Sequence, residues 1–97
     1  MTKEEFILSI LRTVDSVTTQ NNIAQKLNCS VGKVNGTIQK LVADEFICYE
    51  SYTEKNKTKK RYILTPIGKE LKMTLTQKIL KLKRNEIKAL EEELMND

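Results

Sequence analysis

Apolar residues in the first 42 positions recur at three- and four-residue intervals, the period of helices with one buried face. Thr2, followed three residues later by Glu5, carries a capping-box signature. Phe6, Ile7, Ile10, Leu11 and Val14 then share a face, which predicts a first helix near residues 3–14. Asp15-Ser16-Val17-Thr18 breaks the period, and Thr19 is placed to cap a short second helix with Ile23, Ala24 and Leu27 inward. Asn28-Cys29-Ser30 reads as a turn, because Asn tolerates the left-handed backbone that a tight interhelical turn needs. Ser30 suits the N-cap of a third helix, in which Val31, Val34, Ile38, Leu41 and Val42 are expected to pack on the first two.

After Phe46 the pattern changes. Ile47 to Thr53 and Arg61 to Thr65 are rich in β-branched and aromatic residues and predict two strands. The polar, basic segment 54–60 between them reads as a hairpin tip, with no Asn-Gly pair to fix the turn type. Thr65-Pro66 opens a last helix, Thr as N-cap and Pro at the first helical position. Only Gly68, in the first turn, interrupts its pattern before about Met95. Some 30 residues at ~1.5 Å each give a rod of roughly 45 Å. A body of this size cannot cover that length, so part of the helix should project.

Composition narrows the chemistry. The 97 residues are 39% hydrophobic and 31% charged, which fits a small folded domain. No apolar run approaches the ~20 residues that span a bilayer. The acidic start, Met1-Thr2-Lys3-Glu4-Glu5, lacks the pattern of an export signal, so a cytoplasmic location is expected. Histidine is absent, which removes the commonest general base and the Ser-His and Cys-His nucleophile pairs. There is no glycine-rich phosphate loop. Cys29 and Cys48 cannot build a four-ligand zinc site by themselves, and both read as small buried hydrophobes. No catalytic residue, cofactor or metal is assigned, and an enzyme is not expected.

The net charge of +4 is unevenly distributed. Residues 1–49 carry five basic and five acidic side chains; residues 50–61 carry Lys55, Lys57, Lys59, Lys60 and Arg61 against Glu50 and Glu54. The tail beyond is nearly balanced, with seven basic and six acidic. A local basic patch is the electrostatic footprint of polyanion binding.

The stretch Ile23-Ala24-Gln25-Lys26-Leu27-Asn28-Cys29-Ser30-Val31-Gly32-Lys33-Val34 resembles the bacterial helix-turn-helix pattern. Ala24 matches the small residue that lets the two helices approach, and Asn28 stands where glycine is usual. Tyr62-Ile63-Leu64-Thr65-Pro66-Ile67-Gly68 is similar to the Leu-Thr-x-x-Gly stretch that follows the wing in MarR-like regulators. The resemblance covers about residues 3–72. It implies a mainly α fold with a small β-hairpin wing: a winged helix-turn-helix over residues 1–68 and a C-terminal amphipathic helix over 69–97. MarR regulators are usually longer, so control by an inducer is not carried over.

On this reading the third helix is the recognition helix. Opposite its apolar stripe lie Gly32, Lys33, Gly36 and Lys40, flanked by Asn35, Thr37 and Gln39, with Ser30 at its start. These are side chains able to reach base edges and phosphates in a major groove. Gly36 in mid-helix costs ~1 kcal/mol relative to Ala, which suits either close approach to a DNA backbone or an indifferent surface position. Lys55, Lys57, Lys59, Lys60 and Arg61 of the wing would contact phosphates, making binding salt-sensitive. In the last helix Leu75, Ile79 and Leu82, then Ile87, Leu90 and Leu94, form a drifting apolar line that is expected to pair two copies. The leading expectation is a homodimeric regulator, a repressor, that binds double-stranded DNA. A protein-interaction module and a regulatory part of a larger assembly remain open alternatives.

Overall fold

The computed structural model describes residues 2–14 and 20–96. Its elements run α1 (Lys3–Val14), α2 (Gln20–Leu27), α3 (Val31–Ala43), β1 (Ile47–Glu54), β2 (Lys57–Leu64) and α4 (Pro66–Met95). The break expected at residues 15–18 and the cap expected at Thr19 lie outside the described residues. At the start of α1 the Glu5 amide donates to the Thr2 hydroxyl at 3.1 Å, and that hydroxyl donates to the Glu5 carboxylate at 3.2 Å.

One core holds the three N-terminal helices together. Ile10, Leu11, Ile23, Val34 and Ile38 are essentially sealed from solvent, with Leu8, Val14, Ala24 and Leu41 beside them. Burying a side chain of this size contributes about 1.5–3 kcal/mol each. Thr13 also lies on the buried face, its hydroxyl donating to the Ser9 carbonyl at 2.6 Å. Ile47 and Leu64, paired across the base of the hairpin, close the core from the wing side. Leu75 of α4 closes it from the other.

Three chain reversals use left-handed backbone, and none of them uses glycine. Asn28 (φ 54°) ends α2: its own amide bonds the Gln25 carbonyl and the Cys29 amide bonds that of Ala24. That is a Schellman closure, with Asn supplying what glycine usually does. Glu45 (φ 66°) ends α3 in the same way, with the Glu45 amide on Val42 and the Phe46 amide on Leu41. Lys55 and Asn56 (φ 50° and 63°) form the wing turn, the type I′ geometry that matches strand twist.

The wing therefore differs from expectation. Its turn has two residues, and Lys57, Lys59 and Lys60 belong to β2 and not to a loop. Two other expectations are corrected. Val31 is 43% exposed, because it sits in the first turn of α3, before that helix reaches the core. Cys48 is exposed as well; its register opposite Ile63 turns it away from the buried Ile47–Leu64 pair, whereas Cys29 is half-buried against the core.

The junction of α3, wing and α4 explains the Leu-Thr-x-x-Gly stretch. Leu64 is in the core. The Thr65 hydroxyl donates to the Glu45 carbonyl at 2.6 Å, lies 3.1 Å from that of Phe46, and accepts from the Gly68 amide at 3.0 Å. One side chain both caps α4 and ties it to the end of α3. Gly68 lies against the Phe46 carbonyl, where a Cβ would overlap the backbone.

From Leu71 to Ile79, α4 packs along α1, and Lys78 bonds Glu4 at 2.8 Å. Beyond Ile79 every described residue is exposed. The molecule measures 65 × 26 × 19 Å, so the last turns of α4 project as a rod.

Candidate nucleic-acid interface

The outward face of α3 is bare. Gly32, Gly36 and Ala43 form its centre, and a Cβ at either glycine would meet open space. Gln39 and Asn35 border this strip toward the wing; their side chains meet at 3.4 Å. Lys40 and Thr37 border it on the other side, along a groove in which Gly36 joins Phe6, Ile7, Leu71 and Leu75, with Lys3 and Asp44 at its edge. Lys33 holds its ammonium 4.4 Å from the Phe6 ring centroid. Two of the expected contact residues have local work: the Ser30 hydroxyl accepts from the Lys33 amide at 3.2 Å, and the Thr37 hydroxyl donates to the Lys33 carbonyl at 3.1 Å.

Charge sharpens this face. Residues 16–43 contain no Asp or Glu, while Lys26, Lys33 and Lys40 fall within them. The neutrality of residues 1–49 thus hides a helix-turn-helix free of acids, with its balancing carboxylates at Glu4, Glu5, Asp15, Asp44 and Glu45. A count over a shorter window would have found it.

Register divides the wing cations between two faces. Lys57, Lys59 and Arg61 stand opposite Glu54, Tyr52 and Glu50 on one face. There Lys59 pairs with Glu54 at 3.3 Å, and Arg61 pairs with Glu50 at 3.7 Å while stacking over Tyr52 at 4.9 Å. Lys60, opposite Ser51, is on the other face with Tyr49 and Tyr62, and that face meets α3. Lys55 is in the turn.

In α4, Leu75 is 7% exposed and Ile79 half-buried, both used within the chain. Leu82 (52%), Ile87 (54%), Leu90 (61%) and Leu94 (77%) are exposed, as are Met73 (64%) and Leu80 (46%). Met73, Leu80, Ile87 and Leu94 follow one another at seven-residue intervals, a line separate from the one on α1.

Among the described residues no group of three or more His, Cys, Asp or Glu could hold a metal ion. No described helix is long and apolar enough to cross a membrane.

The fold has clear counterparts among solved structures. Staphylococcus aureus MarR, in complex with salicylate and kanamycin, superposes with a TM-score of 0.69 at 24% identity, over 86% of this chain and 56% of that one. A point mutant of S. aureus MepR bound to an oligodeoxyribonucleotide gives 0.67 at 21%, over 99% and 72%. SSV1 F-93 gives 0.58 at 19%, over 87% and 93%. The chain spans little more than half the length of the staphylococcal MarR chain. No protein-family model matches the sequence, and no curated protein matches it. The protein has the MarR-like winged-helix fold: a helix-turn-helix of α2 and α3, a two-stranded wing and a long closing helix.

Proposed function

We propose that the protein is a sequence-specific double-stranded-DNA-binding regulator of transcription, a repressor acting in the cytoplasm as a homodimer. The observation that carries this reading is the exposed face of α3. Its helix carries no Asp or Glu, it is built on glycines that the fold does not require, and it is flanked by amides and lysines beside a basic wing. Such a face suits insertion into a major groove, with Lys33, Asn35, Gln39 and Lys40 around the strip. The fold it shares with an oligodeoxyribonucleotide-bound MepR mutant supports the same reading.

Dimerisation is supported by the unpartnered apolar line of α4. Ile87, Leu90 and Leu94, with Leu80 and Leu82, expose more apolar surface than a monomeric rod has reason to keep. Glu91, Glu92 and Glu93 complement Lys81, Arg84 and Lys88 if two copies run antiparallel. A two-fold dimer would read half-sites about one helical turn apart, or a multiple of it.

Fluorescence anisotropy with a labelled mixed-sequence duplex, titrated at low and moderate salt, tests the DNA reading. Wild type should bind more weakly as salt rises, and a protein with Lys55, Lys57, Lys59 and Lys60 all changed to Ala should bind more weakly still, with a shallower salt dependence. Absence of binding at low salt would replace this reading with that of a protein-interaction module. Sedimentation equilibrium of wild type and Ile87→Glu tests the dimer, which the variant should dissociate.

A further inference from the structure

The cleft between α3 and the wing has a volume of about 450 Å3 and is lined by Asn35, Gln39, Val42, Tyr49, Lys60 and Tyr62. We propose that it is a seat for the DNA backbone, holding one phosphodiester group against the Lys60 ammonium. This rests on the DNA-binding reading and says where that binding concentrates.

The chemistry of the lining is one-sided. Lys60 supplies a full positive charge, Tyr49 and Tyr62 supply phenolic hydroxyls, and Asn35 and Gln39 supply amide groups; no carboxylate lines the cleft. Lys, Tyr, Asn and Gln are side chains that commonly bond phosphate oxygens. Lys60 is also held in place. Its ammonium lies 4.7 Å from the Tyr49 ring centroid, and Tyr49 meets Tyr62 edge-on at 6.3 Å and 67°. A cation positioned over a ring loses less freedom on binding than one waving in solvent.

The opposite face of the wing differs. Lys59 and Arg61 each face a glutamate there, and a phosphate approaching them also meets Glu54 and Glu50. The location agrees with groove geometry. With α3 in a major groove and the hairpin reaching the adjacent minor groove, the strand separating the two grooves passes between helix and wing. That is where this cleft lies.

The test is anisotropy with the mixed-sequence duplex across a salt series, for wild type and the single variants Lys60→Ala, Tyr49→Phe, Lys59→Ala and Arg61→Ala. Lys60→Ala should weaken binding about tenfold, and Tyr49→Phe about threefold. Lys60→Ala should also lower the log–log salt slope by about 0.9, one phosphate's worth. Lys59→Ala and Arg61→Ala should each cost less than Lys60→Ala. Losses at Lys59 or Arg61 that equal or exceed the loss at Lys60 would overturn the proposal and place the contact on the outer face. So would tighter binding of the labelled single strand than of the duplex, which would mean that the tyrosines stack bases. Wild type that fails to bind DNA at any salt would defeat the DNA reading itself.

Discussion

Gly68 and Gly36 are both helical glycines, and they are there for opposite reasons. At the junction of α3, wing and α4, the backbone of Gly68 lies so close to the Phe46 carbonyl that no side chain fits. On the outward face of α3, Gly36 has open space where its Cβ would be and forgoes helix stability with no return inside the molecule. The junction is explained completely by the fold. Nothing inside the fold accounts for the glycine on the α3 face, and on the DNA reading proposed above it leaves room for an approaching backbone.

The largest expected effect breaks the junction. Gly68→Ala should cost about 3 kcal/mol or more, since the overlap is with backbone that cannot rotate away. Thermal unfolding should show a fall of about 12 °C or more. Thr65→Val comes next: it keeps the shape but removes the hydroxyl that joins Glu45, Phe46 and Gly68. A loss of about 1–2 kcal/mol is expected in urea titration. Gly36→Ala should move the other way, gaining about 1 kcal/mol of stability. The same variant should bind duplex DNA about tenfold more weakly, a loss of ~1.4 kcal/mol. A Gly36→Ala protein that is more stable and binds equally well would remove the contrast with Gly68. The smallest effect is at Glu45, where Glu45→Gly relieves a left-handed residue and should stabilise by about 0.5–1 kcal/mol, readable as a small rise in Tm.

Much of this architecture was legible in the residues. The limits of α1, the turn at Asn28, the Ser30 and Thr65 caps, the two-stranded wing and the overlong last helix follow from period and capping chemistry alone, and the structure has them all. What was not legible depends on backbone that side chains do not announce. Glu45 and Lys55 adopt left-handed conformations that their residue types disfavour, and only the packing around them imposes it. The two-residue wing turn then sets the register, and the register decides that Lys59 and Arg61 meet glutamates while Lys60 does not. In the same way, helical spacing groups Leu75 with Leu82 on one stripe. Only the position of α1 separates the residue buried in the core from the one left exposed. Of the positions expected to contact DNA on α3, the structure gives Ser30 and Thr37 local bonds and leaves Gly32 and Gly36 open, a division that sequence spacing does not make.

The unbroken course of α4 has a mechanical meaning. Its 30 residues contain no proline after the first position and no glycine after the first turn, so it has no built-in joint. One end is wedged against the Phe46 carbonyl at the exit of α3, and the other stands free in solvent. Such a helix acts as a lever. Packing on α1 fixes it as far as Ile79, and over the ~24 Å beyond, a tilt of about 5° displaces the tip by roughly 2 Å. Force applied to the tip reaches the corner where α3 ends by way of the α1–α4 packing.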